Sequence, residues 1–130
     1  MGNKIIAFDL DDVLCFRTSE VPSKEKYYTC QPIPEMIKIV NDCYDDGNKV
    51  LIYTARGMNV YKKNLQLIES ELRELTEKQL SDWGVKYHEL IMGKVHYDML
   101  IDDKAISSYD IKDPKDIASA IARNRKNNAR

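Results

Sequence analysis

Three aspartates within four positions, Asp9, Asp11 and Asp12, stand directly after the apolar run Ile5-Ile6-Ala7-Phe8. Such crowding of negative charge is tolerated where a metal ion or a phosphoryl group offsets it. Other residues of suitable type follow later apolar runs: Thr54 and Arg56 after Val50-Leu51-Ile52-Tyr53, Lys94 after Gly93, and Asp102 and Asp103 after Met99-Leu100-Ile101. Phosphoryl transfer needs a nucleophile, donors for the phosphate oxygens and a proton for the leaving oxygen. A carboxylate can attack phosphorus and form an aspartyl-phosphate, and Asp9 is placed for this. Asp11 lies two residues on, roughly 6–7 Å along an extended chain, which leaves room for a phosphoryl group between the two. It suits protonation of the leaving group and activation of water. Thr54 offers a neutral hydroxyl and Lys94 a point charge. A carboxylate nears a phosphate dianion only if a cation offsets the repulsion. Mg²⁺ would do so, held by Asp9 and by Asp102 alone or with Asp103. Arg56 is a candidate contact for an anionic substrate, and Asp12 reads as a turn residue.

These residues need a scaffold that gathers them. The run at 4–9 lacks alternation and reads as a buried strand, as does 49–53. Between them Pro34 opens a helix whose apolar positions Met36, Ile37, Ile39, Val40, Cys43 and Tyr44 recur at three and four, and Gly47 ends it. Strand, helix, strand in this order predicts a right-handed crossover and a parallel pair. Helical periodicity runs from 61 to 75. Thr76-Glu77-Lys78-Gln79 has the form of a capping box, so 61–83 is one helix or two, closed by Gly84. Strands are expected at 85–91, with Tyr87 and Leu90 inward, and at 97–101. Asp113-Pro114 opens a terminal helix with Ile117, Ala118, Ala120 and Ile121 as its buried stripe. Residues 123–130 are basic and polar and are expected to fray. In a parallel sheet the strand ends share one edge, so Asp9, Thr54, Lys94 and Asp102 would converge.

The segment 16–34 has no clear period and holds Pro22, Pro32, Pro34, Tyr27 and Tyr28. Loops of that length in a compact domain are commonly functional, so it is a candidate active-site loop, with packing on the core the commoner use of its tyrosines. His88 and His96 read as structural or exposed. A chain of 130 residues is expected to form one domain, 1–130. A formal charge of −1 gives no global attraction to nucleic acid or membrane. No apolar run reaches the roughly 18 residues of a spanning helix, and no signal peptide is recognisable. Cys15, Cys30 and Cys43 suggest neither a disulfide framework nor a zinc site. A reduced, cytoplasmic setting is expected.

The motif Phe8-Asp9-Leu10-Asp11-Asp12-Val13-Leu14 resembles the first motif of the haloacid dehalogenase (HAD) superfamily. Thr54, Lys94 and Ile101-Asp102-Asp103 resemble its second, third and fourth motifs. The segments around Tyr53-Thr54-Ala55-Arg56-Gly57-Met58, Tyr87-His88-Glu89-Leu90 and Ile101-Asp102-Asp103-Lys104-Ala105 are similar to small capless members associated with capsular polysaccharide biosynthesis. The resemblance implies a three-layer, Rossmann-like α/β domain with a central parallel sheet and no substantial cap. It implies Mg²⁺, with Asp11 giving its backbone carbonyl, and phosphate binding by Thr54, Ala55 and Lys94. The activity implied is phosphomonoester hydrolysis, on a sugar phosphate or cell-surface polysaccharide precursor. A 5′-nucleotidase and a non-enzymatic phospho-acceptor module are the alternatives. An open site would take an extended substrate or be covered by another subunit of a homo-oligomer.

Overall fold

The computed structural model describes residues 2–127. Three strands, β1 (Ile5–Phe8), β4 (Lys49–Thr54) and β5 (Glu89–Met92), form a parallel sheet in the order β1-β4-β5. The register sets Phe8 beside Ile52 and Thr54 beside Met92, so the carboxyl ends of all three strands lie on one edge. Between β1 and β4 the chain forms a small ribbon, β2 (Cys15–Phe16) antiparallel to β3 (Gln31–Pro32), with the single-turn helix α1 (Glu25–Tyr28) between them.

Helix α2 (Pro34–Asp45) begins with Pro at its first turn, and Gly47 takes φ +91° after its end, a left-handed conformation that glycine adopts without a side-chain clash. Its buried residues Met36, Ile37, Ile39, Val40 and Cys43 recur at helical spacing and pack toward β4. Helix α3 (Leu65–Asp82) is continuous, capped by the Asn64 side chain, which accepts the Leu67 N–H at 3.2 Å. Thr76 therefore does not start a new helix. It is buried within α3, where its hydroxyl donates to the Leu72 carbonyl at 2.7 Å. The residues before Asn64 turn instead of continuing the helix, with Lys62 and Lys63 at positive φ. Helix α4 (Pro114–Asn127) packs against α2. Asp113 accepts the Lys115 N–H and Asp116 accepts those of Lys112 and Asp113, a reciprocal cap. Residues 123–127, expected to fray, are helical; the rest of that tail lies outside the described residues.

Ile6, Phe8, Val50, Ile52, Leu90 and Met92 line the covered face of the sheet, joined in the core by Leu10, Leu14, Ile68, Leu72 and Leu80. Two expectations fail here. Residues 97–101 form no strand, and Met99 and Ile101 are exposed. The other face of the sheet, carrying Ile5, Tyr53 and Ile91, is open, so the described residues make a two-layer arrangement instead of three. With 97–101 off the sheet, β1 is left as an edge strand. No helix is long and apolar enough to cross a membrane among the described residues.

Candidate active site

β1 hands over to a tight turn at residues 10–15 in which the Leu10 carbonyl accepts the N–H groups of Val13, Leu14 and Cys15. Leu10 and Leu14 enter the core, and the turn closes with Asp12 at φ +67°. Asp is among the residues that tolerate this left-handed conformation, so Asp12 is the turn residue expected of it. The burial of Leu10 sends its two neighbouring carboxylates to different partners.

Asp9 stays at the sheet edge with its side chain 38% exposed. Its Oδ1 accepts the Leu10 N–H at 2.8 Å, and its Oδ2 lies 3.2 Å from Lys94 Nζ. The pair joins positions 85 residues apart, just beyond the ends of β1 and β5. Burial would lower the Lys94 ammonium. Its interactions with Tyr97 and Asp9 outweigh that and hold it above its ordinary value, so the lysine is a cation. The rings of Tyr53 and Tyr97 face its Nζ at 5.8 and 5.2 Å. Thr54 ends β4, the central strand, and its backbone carbonyl accepts the Lys94 N–H at 3.0 Å. Its Oγ1 accepts the Arg56 N–H at 3.0 Å, which leaves the hydroxyl proton to donate. Ala55, half-buried, follows in the same turn. Asp9, Thr54, Ala55 and Lys94 thus gather where the sequence placed them.

Asp11 turns inward. Its Oδ2 accepts from Arg56 Nε and its Oδ1 from Arg56 Nη2, both at 3.1 Å, a bidentate pair. Arg56 is only 2% exposed, and its Nη1 also donates to Gln79 Oε1 at 2.6 Å and to Thr76 Oγ1 at 3.1 Å. The guanidinium lies over the Tyr27 ring at 5.0 Å. Burial would lower its pKa, but the Asp11 charge and hydrogen bonds hold it above the ordinary arginine value. Arg56 is therefore not a substrate contact: every face of its guanidinium is used to pin the 10–15 turn to α3. Asp11 does not face Asp9 as a ready acid, because both its oxygens are committed to Arg56.

The carboxylates expected to hold a metal do not assemble. Asp102 and Asp103 are exposed on the segment that leaves the sheet, and the Asp102 carboxylate accepts the Lys104 N–H at 3.1 Å. Among the described residues, the one grouping of three potential metal-ligand atoms within 4.8 Å of one another is Asp11, Cys15 and Cys30. In this arrangement Asp9, Asp11, Asp102 and Asp103 do not fit a magnesium ion.

Sequence reasoning missed two features. Arg17, mostly buried, brings Nη1 to 3.8 Å from Asp11 Oδ2 and donates to Glu20. Its signal was a basic residue in the loop directly after the acidic motif. The second is the sulfur pair. Cys15 Sγ and Cys30 Sγ lie 3.5 and 3.6 Å from Asp11 Oδ1, and Arg56 Nη2 reaches Cys30 Sγ at 3.2 Å. A hydrogen bond from Cys15 lowers the Cys30 thiol below its ordinary value against the effect of burial, and the Arg56 charge adds to the lowering; Cys15 is correspondingly raised. The loop 16–34 is held down by Tyr27, whose hydroxyl accepts the Gly57 N–H at 2.8 Å and whose carbonyl accepts from Gln79 Nε2 at 2.7 Å. Tyr27 packs, as expected, while Tyr28 is exposed. His88 is structural: its Nδ1 accepts the Val50 N–H at 3.0 Å and its ring stacks on Tyr44. His96 is exposed.

No family model and no curated protein matches the chain. It is similar to a solved structure, a structural-genomics target from Vibrio cholerae, at 23% identity and a TM-score of 0.74. The likeness covers 95% of this chain and 98% of that one. Identity at that level speaks for the fold, a small α/β domain with a parallel sheet.

Proposed function

We propose that this protein is a phosphomonoester hydrolase of the HAD type, with Asp9 as nucleophile. The observation that carries the reading is the Asp9–Lys94 pair at 3.2 Å on the carboxyl edge of a parallel sheet, with Thr54 ending the strand between them. Ligands of open α/β sheets bind outside the carboxyl ends of the strands. Asp9 is half-exposed, so a phosphate can approach it, and the Leu10 N–H anchors the oxygen that does not face Lys94. Attack by an Asp9 oxygen forms the P–O bond of an aspartyl-phosphate as the ester P–O bond breaks. The leaving oxygen takes a proton, and water then cleaves the phosphoenzyme. Lys94 and the Thr54 hydroxyl neutralise and hold the phosphate oxygens, with Ala55 beside them. Asp11 can supply the proton only after turning away from Arg56; at this open edge, solvent is the other source.

The Mg²⁺ that the resemblance implies would reduce the repulsion between Asp9 and phosphate. Asp102 and Asp103 could join it only if 97–101 moved onto the free edge of β1. Tyr97, at the start of that segment, already lies by Lys94. The substrate class proposed is a sugar phosphate or cell-surface polysaccharide precursor, on the resemblance of the segments around Thr54, Leu90 and Asp102, and the open edge among the described residues leaves room for an extended one.

Release of phosphate from an aryl phosphate tests the reaction, with wild type, Asp9→Asn and Lys94→Met compared with and without Mg²⁺. Asp9→Asn should abolish turnover, and Lys94→Met should reduce it by roughly tenfold or more, the equivalent of one charged hydrogen bond. Turnover that survives Asp9→Asn sinks the proposal. A panel of sugar phosphates against nucleoside monophosphates separates the proposed substrate class from a nucleotidase.

A further inference from the structure

Three cysteines are buried in this structure, and two of them share one small polar site. Cys15 opens β2. Cys30 lies just before β3, two residues from Pro32, the cross-strand partner of Cys15. That diagonal position falls on the same face of the ribbon, so both side chains point to the same atom, Asp11 Oδ1. Their sulfurs lie within 4.8 Å of each other. A disulfide requires the sulfurs to close to about 2 Å and the Cα atoms to lie within about 7 Å, so the two-stranded ribbon must draw its diagonal neighbours together as the bond forms.

The surroundings favour oxidation over the two other uses of such a cluster. Two sulfurs and a carboxylate could ligate a soft cation, but the Arg56 guanidinium sits 3.2 Å from Cys30 Sγ and 3.8 Å from Cys15 Sγ, placing a permanent positive charge where a cation would bind. Simple apolar packing describes Cys43, on the core face of α2, where burial pushes the thiol up to about 11. It does not describe sulfurs ringed by a guanidinium and a carboxylate. The Arg56 guanidinium stabilises negative charge developing on the Cys30 sulfur as it reacts, while the Asp11 carboxylate opposes it, and a second thiol beside it is poised to resolve the oxidised product. Cys30 is the attacking sulfur, because it is closer to the guanidinium and retains 6% exposure, whereas Cys15 has none.

We propose that Cys15 and Cys30 are a redox-active pair that a hydroperoxide converts to a disulfide beside Asp11 and Arg56. The Cys30 thiolate attacks one peroxide oxygen; the O–O bond breaks, the departing oxygen takes a proton and leaves as an alcohol or water, and Cys30 becomes a sulfenic acid. The Cys15 thiol then attacks that sulfur, and water departs with the thiol proton. In total two thiols are oxidised by two electrons and one hydroperoxide is reduced. A dithiol reductant reverses the change by thiol–disulfide exchange. The disulfide withdraws both sulfurs from Asp11 Oδ1 and from Arg56 Nη2, and it closes the loop that carries Arg17 and Tyr27. Asp11 thereby loses two of its neighbours while keeping Arg56.

The test uses the whole protein, folded and fully reduced, exposed to equimolar hydrogen peroxide. Thiol titration should fall from three free groups to one. Intact mass should show loss of two hydrogen atoms, and peptide mapping should join the peptides of Cys15 and Cys30, with recovery on dithiol treatment. Cys43→Ser should leave the crosslink unchanged, and Cys30→Ser should abolish it. Three thiols persisting in wild type, Cys43 oxidising as readily, or crosslinks forming only between chains would each overturn the proposal. The wild-type readouts hold even if a cysteine variant fails to fold. None of them needs turnover, so they stand apart from the phosphatase reading.

Discussion

Arg56→Met separates the role the structure gives Arg56 from the one its sequence suggested. The substitution conserves most of the side-chain length and removes the guanidinium from a site that is 2% exposed. Asp11 then loses both 3.1 Å hydrogen bonds, and Thr76 and Gln79 each lose a partner. Breaking one side of a buried ion pair costs about 3–5 kcal/mol. The Asp11 side chain keeps 12% exposure and has Arg17 at 3.8 Å, which places the cost near the lower end, about 3 kcal/mol. With an unfolding entropy of about 2.1 cal/mol/K per residue, that lowers the melting temperature by roughly 10 °C. Urea unfolding should show a midpoint about 1.5 M lower at an m-value near 2 kcal/mol/M. The double variant Asp11→Asn/Arg56→Met should recover at least about 1 kcal/mol, because the stranded charge is gone. A variant as stable as wild type that had lost only turnover would refute the reasoning, since it would mean an arginine free to serve a substrate.

Gly57→Ala should destabilise by about 2–4 kcal/mol. Its φ is +81°, and an added Cβ would meet Leu72 Cδ1 at 2.5 Å and Ile68 Cγ1 at 3.1 Å. Gly47→Ala, also at positive φ but with open space around it, should cost about 1 kcal/mol in the same urea titration, and equal losses would refute the close-packing account. Asp116 gives a pH signature. The N–H groups of Lys112 and Asp113 lower its pKa, so its contribution is present above the ordinary aspartate value of 3.8 and is lost as pH falls through the lowered one. The stability gap between wild type and Asp116→Asn should close under acid, and a gap unchanged from neutral pH to pH 3 would contradict the cap. Hydrogen exchange addresses residues 97–101: recruitment of Asp102 by Mg²⁺ and a phosphate mimic would slow their amides and those of β1, whereas the observed arrangement leaves them fast. Magnesium-dependent turnover with unchanged exchange would show that Asp102 is not recruited by strand pairing.

Local signals carried far in this chain. The apolar runs at 5–8 and 50–53 became parallel strands, each covered on one face only, and Pro34 and Gly47 bounded α2 through fixed and left-handed φ. The convergence of Asp9, Thr54 and Lys94 followed from strand order alone, since parallel strands bring their carboxyl ends to one edge. The run at 97–101 looked equally strand-like, yet a strand exists only if a partner edge takes it, and here it is left exposed with Asp102 and Asp103 at its end. The capping-box pattern at Thr76 failed for a related reason. Its hydroxyl was claimed by the Leu72 carbonyl and by Arg56, two partners that no local window reveals.

By itself, the sequence determined which residues have the chemistry and which strand ends bring them together. Only the tertiary structure decided how they are used, because partner choice depends on what lies across the core. Burial of Leu10 splits the acidic motif, leaving Asp9 at the edge with Lys94 and driving Asp11 inward to Arg56. An arginine that read as a solvent-facing substrate contact is thereby fixed as an interior brace, and two cysteines far apart in the chain become neighbours on the same carboxylate.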